Sequence, residues 1–306
     1  MKEQKNTVKR MTPLDKQNVI DNFLFNEIMS DQENGEALCR MILERVLKRK
    51  IGTIHFTPQK VVPGISERTH GIVLDSYIVE DIEGGNGLPE IDVYDIEPDK
   101  RISKKKSLPK RTRYYSDLID VHLLETGIDY EKLPGLAIIF ILSYDPFGKG
   151  EMYYEIESVF KSHPELDYDD GIRRIYLYTD GKLPENPDKY DIMLQNLLRY
   201  IRNSTDENVT DEDTRRLDEI VRSTKQKKDV GVKYMKSWEI ERDLRDEGRE
   251  EGREEGREEG REEERANTEA ERRRADAAES RADKAEAQVD HMKAELAKYK
   301  EKFGVI

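Results

Sequence analysis

The sequence predicts an α/β protein with a mixed central sheet flanked by helices, followed by a long C-terminal helix or coiled coil. Three observations carry that expectation. Helix-period and strand-period patterns alternate between residues 19 and 201, the order of a layered α/β sandwich. Within them, Leu136, Ala137, Ile138, Ile139, Phe140, Ile141 and Leu142 form an unbroken apolar run of strand length. A strand apolar on both faces belongs inside a sheet that is covered on both sides. Finally, Ala275, Ala278, Ala282, Ala285, Val289, Met292, Leu296, Tyr299 and Phe303 follow one another at spacings of three and four, which is a coiled-coil seam.

Taken in order, residues 1–18 are polar and predict a disordered N-terminal segment. Ile20, Phe23, Leu24 and Ile28, then Leu38, Met41, Ile42 and Val46, recur at helical spacing and predict two short helices broken near residues 31–35. Residues 51–62 mix β-branched residues with turn formers and predict a strand. A clearer strand covers 71–79, and a second covers 90–97; Gly84, Gly85, Asn86 and Gly87 between them predict a hairpin turn. Residues 109–124 predict a helix, with Tyr115, Leu118, Ile119 and His122 on one face. After the apolar strand come a strand at 172–178 and a helix at 192–201 whose Leu194, Leu197, Leu198 and Ile201 point inward.

Past Trp238 the character changes. Gly248, Gly252, Gly256 and Gly260 recur in a Glu-Gly-Arg-Glu repeat without one apolar residue. Each glycine in a helix costs about 1 kcal/mol against alanine. Opposite charges at i,i+3, as in Glu250 with Arg253, recover part of that, so a frayed or easily bent helical connector is expected. The division is then 1–18 disordered, 19–240 globular, 241–265 Gly-Arg-Glu connector and 266–306 coiled-coil helix, the last predicting a homo-oligomer.

Composition narrows the function classes. The chain is 39% charged and 35% apolar, and the tail accounts for the dilution of an otherwise ordinary globular part. No apolar run approaches the roughly 20 residues a membrane span needs, and the N-terminal residues lack a secretion signal's apolar core, so a cytoplasmic protein without a membrane partner is expected. One cysteine, Cys39, excludes an internal disulfide and a Cys-x-x-Cys zinc pattern, and its apolar surroundings predict a core residue. The histidines show no ligand spacing and no glycine loop is built to cradle phosphate, so no small-molecule cofactor is predicted. A net charge of −13 argues against the whole surface being a nucleic-acid platform while leaving room for a local basic site.

Two acids and one basic run stand out. Asp75 lies in the first hairpin strand and Glu97 closes the second; carboxylates at neighbouring strand ends can converge on one divalent cation, Mg2+ being the expected ion. Such a cation can activate a water and steady charge on a phosphodiester. Beside Glu97, Lys100, Arg101, Lys104, Lys105, Lys106, Lys110, Arg111 and Arg113 make a basic patch on an acidic protein, a candidate grip on DNA. Tyr114 and Tyr115 are expected to pack rather than to stack on bases.

The segment Tyr94-Asp95-Ile96-Glu97-Pro98-Asp99, then Leu108-Pro109-Lys110-Arg111-Thr112-Arg113-Tyr114-Tyr115, then Ile119-Asp120, resembles the PD-(D/E)XK nuclease family transposases, also called recombination-promoting nucleases. Val73-Leu74-Asp75 upstream, Gly127-Ile128-Asp129-Tyr130 with Leu133-Pro134 downstream, and the glycine-arginine-glutamate tail extend the likeness from Asp21 to Gly260. The resemblance implies a restriction-endonuclease-like core for 19–240 and magnesium-dependent DNA cleavage tied to recombination or mobile elements. It assigns Asp75 and Glu97 as the metal-binding acids. Where the family carries lysine or glutamine two residues after the glutamate, this chain has Asp99. Strand alternation sets Asp99 on the face of Glu97 and Lys100 on the other. A lysine must then come from elsewhere: Lys100, if Pro98 ends or bulges the strand, or Lys110 from the following helix. The departure motivates the alternative of a catalytically decayed nuclease fold acting as a DNA-binding or assembly protein.

Overall fold

The computed structural model describes residues 12–304 apart from 67, 84–88 and 125–126. The hairpin turn expected at 84–87 therefore lies outside the described residues. Helices α1 (Asn22–Met29) and α2 (Gln32–Val46) precede strands β1 (Thr53–Val62), β2 (Ile72–Glu83) and β3 (Pro89–Asp99). Then follow α3 (Leu108–Leu123), β4 (Gly135–Leu142), β5 (Tyr153–Ile156), β6 (Ile172–Tyr178), α4 (Lys189–Arg202), α5 (Glu212–Gln226) and α6 (Lys228–Phe303).

The six strands form one mixed sheet in the order β1-β2-β3-β4-β6-β5. β1, β2 and β3 pair antiparallel, β4 runs parallel to both β3 and β6, and β5 closes the far edge antiparallel. β4 is interior, as its apolar run requires, and its alternation feeds two cores. Ala137, Ile139 and Ile141 face the larger core, shared with residues of α1, α2, α4 and α5. Leu136, Ile138, Phe140 and Leu142 face a second core closed by Leu108, Leu118 and Ile119 of α3. Cys39 is fully buried in the larger core, its Sγ 3.9 Å from the sulfur of Met29, and burial pushes its thiol pKa up.

Helix starts follow capping chemistry. Asp31 accepts from Asn34 N–H, and Asp188 and Asp211 each complete a reciprocal capping box, at the first turns of α2, α4 and α5. The sequence reading passed over β5 and α5. β5 is a four-residue edge strand, and α5 is largely polar, with Leu217, Ile220 and Val221 as its buried apolar stripe.

Close contacts divide the chain into Met1–Tyr234 and Met235–Ile306. The first unit uses the start of α6: Leu14, Val230 and Tyr234 are buried together, and the Phe23 ring meets Tyr234 edge-on at 5.0 Å. Most of the segment 1–18 lies outside the described residues; within them a 3-10 turn at Leu14–Lys16 carries the buried Leu14. In the second unit α6 runs as helix through Gly248, Gly252, Gly256 and Gly260. Extending a helix already nucleated in Ala-, Glu- and Arg-rich flanks costs far less than starting one, which is why the glycines ride through. Among the described residues no helix is long and apolar enough to cross a membrane.

Ile139 is fully buried at the sheet's centre. Ile139→Ala is expected to lower unfolding free energy by about 2–5 kcal/mol, read as an earlier urea midpoint at unchanged slope.

Candidate functional site

β3 sorts its side chains across the sheet. Tyr94 and Ile96 enter the larger core, while Val93 and, by alternation, Asp95, Glu97 and Asp99 share the side covered by α3. All three acids are nearly sealed, at 0%, 5% and 2% exposure. Three buried carboxylates in alternate positions of one strand are costly unless each finds a donor or a cation.

Asp75 reaches them through an irregularity shared by β1 and β2. Both strands keep one register along their pairing, yet each changes face partway. Ile54 and Phe56 point to the larger core whereas Val62 points to the second; Leu74 and Tyr77, of opposite parity, both point to the second. The switch falls at Gln59 and Asp75, with Gln59 in the left-handed region at φ 49°. Bulky residues seldom adopt that conformation, and such strain gathers at functional sites. The β2–β3 ladder meanwhile stops at Tyr77 opposite Asp95, so the strands diverge. In the wedge, the Asp75 N–H donates to Glu97 Oε1 at 2.9 Å and the Ser76 hydroxyl donates to the Ile96 carbonyl at 2.9 Å. Gln59 Nε2 donates to Asp75 Oδ1 at 2.9 Å and to Asn26 Oδ1 at 3.0 Å, which fixes the Asp75 carboxylate.

The electrostatics are those of crowded acids. Burial, then the charges of Glu97 and Asp75, raise the Asp95 pKa well above the usual carboxylate range, and neither of its oxygens has a partner. Burial, then the Asp75 charge, push Glu97 up to about 8. Burial also raises Asp75, opposed by the Gln59 hydrogen bond and by Arg101 and Arg111. Asp99 goes the other way: burial is its largest single influence, but hydrogen bonds from Arg101 and Arg111 outweigh it. Oδ1 of Asp99 accepts from Arg101 N at 2.7 Å and Arg101 Nε at 3.1 Å, and Oδ2 accepts from Arg111 Nη2.

Of the residues singled out in the sequence, Asp75 and Glu97 come together. β3 stays paired through Pro98 and Asp99, opposite Ile141 and Leu142, so Lys100 is not swung inward; its ammonium pairs with Asp21, the residue just before α1. Lys104, Lys105 and Lys106 lie in a 3-10 turn at Ile102–Ser107, and Lys110 and Arg113 are exposed on α3. None of these five forms an ion pair with the described residues. The cations against the carboxylates are Arg101 and Arg111. Tyr115 packs on Phe140 at 6.4 Å between ring centroids. Asp95 and Gln59 were missed. The alternation Asp95-Ile96-Glu97 could have revealed the first, but nothing local announces the face switch at Gln59.

Among the described residues no three His, Cys, Asp or Glu side chains are arranged as a ready-made metal cage. A site of two carboxylates completed by water needs no such cage. Two roomy recesses, of 960 and 830 Å³, are lined by other residues and share none with this cluster. No protein-family model, curated protein or solved structure matches this chain.

Glu97 yields a pH prediction. Its pKa of about 8 lies above the ordinary 4.5, so between those values the folded protein holds a proton that the unfolded chain has released. Stability must therefore fall as pH rises through that window and level off above it. Asp99 has the opposite sign, but its window lies below 3.8. The metal-free protein is expected to melt at progressively lower temperature from pH 5 to pH 8, and Glu97→Gln should flatten the trend and melt higher at pH 8. A wild-type midpoint that climbs over the same range contradicts it.

Proposed function

We propose that this chain is a magnesium-dependent DNA endonuclease of the PD-(D/E)XK type on a restriction-endonuclease-like core, tied to recombination or mobile elements. The observation that carries the reading is the hydrogen bond from the Asp75 backbone N–H to the Glu97 carboxylate, on the strand that also carries Asp95, a fully buried carboxylate with two unpartnered oxygens. Asp75, Asp95, Glu97 and Asp99 set four carboxylates against the guanidinium groups of Arg101 and Arg111, which leaves the cluster two positive charges short when all are ionised. A hard divalent cation with oxygen ligands supplies that deficit, and Mg2+ accepts two carboxylates plus waters. Asp75 and Glu97 would hold it.

Bound magnesium supplies a polarised water and charge beside the phosphodiester. The protein's own part is positioning. Gln59 orients Asp75, the Asp75 N–H orients Glu97, and burial keeps bulk water from the Glu97 carboxylate. Lys104, Lys105, Lys106, Lys110 and Arg113, unpaired among the described residues, are free to grip successive backbone phosphates. Purified protein with Mg2+ should nick or linearise plasmid DNA, and Asp75→Ala or Glu97→Gln should lower the rate at least a hundredfold, about the loss of one key electrostatic group. Cleavage that survives both substitutions rejects the assignment. Asp99 in place of a lysine motivates the second reading, a non-cutting DNA-binding protein, which predicts salt-sensitive binding with no magnesium-dependent cleavage at all.

The reading includes a homo-oligomer built on the α6 seam. Val289, Met292 and Leu296 are 43%, 59% and 58% exposed in the single chain. Two-site cutting of a duplex is served by a two-fold pair. Sedimentation velocity should give at least a dimer, and Leu296→Asp should shift it toward the monomer mass; a monomeric wild type rejects the oligomer.

A further inference from the structure

We propose that Arg111 is the phosphate-facing cation of this site and that Asp99, where a lysine would be expected, is the positioning residue that installs it. The inference rests on the endonuclease reading above and deepens it.

Asp99 at first sight puts a negative charge where an anionic phosphodiester has to approach. Its surroundings cancel that charge. The side chain is 1% exposed and is held on Oδ1 by Arg101 and on Oδ2 by Arg111, an arrangement that keeps it ionised and already neutralised. An acid bonded to two guanidinium groups presents the net positive charge of the trio.

Arg111 is the better placed of the two. It rises from the first turns of α3 and its guanidinium carbon sits 4.8 Å over the Phe140 ring, a contact that fixes the plane of the group. Its side chain is 17% exposed, against 58% for Arg101, so it acts in a low-dielectric setting where a fixed charge is worth more. Both guanidinium charges act on the carboxyls of Asp75 and Glu97, so burial and the Phe140 contact are what set Arg111 apart from Arg101. Only Nη2 is used by the protein: Nε is buried and has no partner, and Nη1 makes no hydrogen bond with the described residues. A buried donor without an acceptor is unfavourable, and an incoming phosphodiester oxygen is an acceptor of the right charge and geometry. Lys100, committed to Asp21 on the other side of the sheet, leaves that place to the arginine.

Strand and helix have thus exchanged roles. In the family pattern the cation stands on the strand; here the strand supplies the anchor and the helix supplies the cation.

The test compares wild type, Arg111→Met, Arg111→Lys and the double variant Asp99→Lys with Arg111→Met. Plasmid cleavage is measured with Mg2+, and binding of a fluorescent oligonucleotide duplex with Ca2+, with melting curves confirming that each variant folds. Arg111→Met is expected to cut about a hundredfold more slowly and to bind the duplex more weakly, Arg111→Lys to keep most of both, and the double variant to regain at least tenfold in cleavage. A purely structural arginine would not be rescued by a lysine on the neighbouring strand. If wild type cuts and Arg111→Met cuts equally well, or the double variant gains nothing over Arg111→Met, this inference is overturned and the endonuclease reading stands. If wild type neither cuts nor binds DNA, both fall together.

Discussion

Three acids sealed on one side of β3 set the terms for everything around them. Burying ionised carboxylates in protein is unfavourable enough that each must be bonded, paired or protonated. Glu97 takes a backbone N–H from the neighbouring strand, Asp99 takes two arginines, and Asp95 takes nothing from the described residues. The fold supplies the stability to tolerate this: β4 is flanked on both faces by apolar cores, and its Phe140 carries the arginine that offsets Asp99. A stable interior next to an electrostatically unfavourable patch is how a site for an external charge is maintained.

The geometry of the patch depends on two strands changing face together. Had β1 and β2 kept simple alternation, the side chains on either side of position 75 would have stayed on one parity. Gln59 in the left-handed region, with its amide spanning Asn26 and Asp75, lets the sheet turn over without losing register. The divergence of β2 from β3 then opens a gap that side-chain and backbone hydrogen bonds fill in place of a ladder.

Much of this was legible beforehand. The seven-residue apolar run located the interior strand because no polar side chain interrupts it, and the hairpin pattern put Asp75 and Glu97 on adjacent strands. Strand parity correctly separated Glu97 and Asp99 from Lys100. Less local features were not legible. β5 is too short to show a period, and α5 is mostly polar around a narrow buried stripe. The sequence alone points to Lys100 or Lys110 for the cation. Choosing Arg111 requires knowing which turn of α3 lies over Phe140, and that is set by packing between elements distant in sequence.

The lone thiol offers a different use of the same interior. Cys39 is enclosed beside Met29, and burial keeps it in the unreactive neutral form. An alkylating reagent can meet it only when the core that surrounds it opens. The rate at which the chain takes up one label therefore clocks that opening event, giving a built-in kinetic reporter with no competing cysteine elsewhere in the sequence.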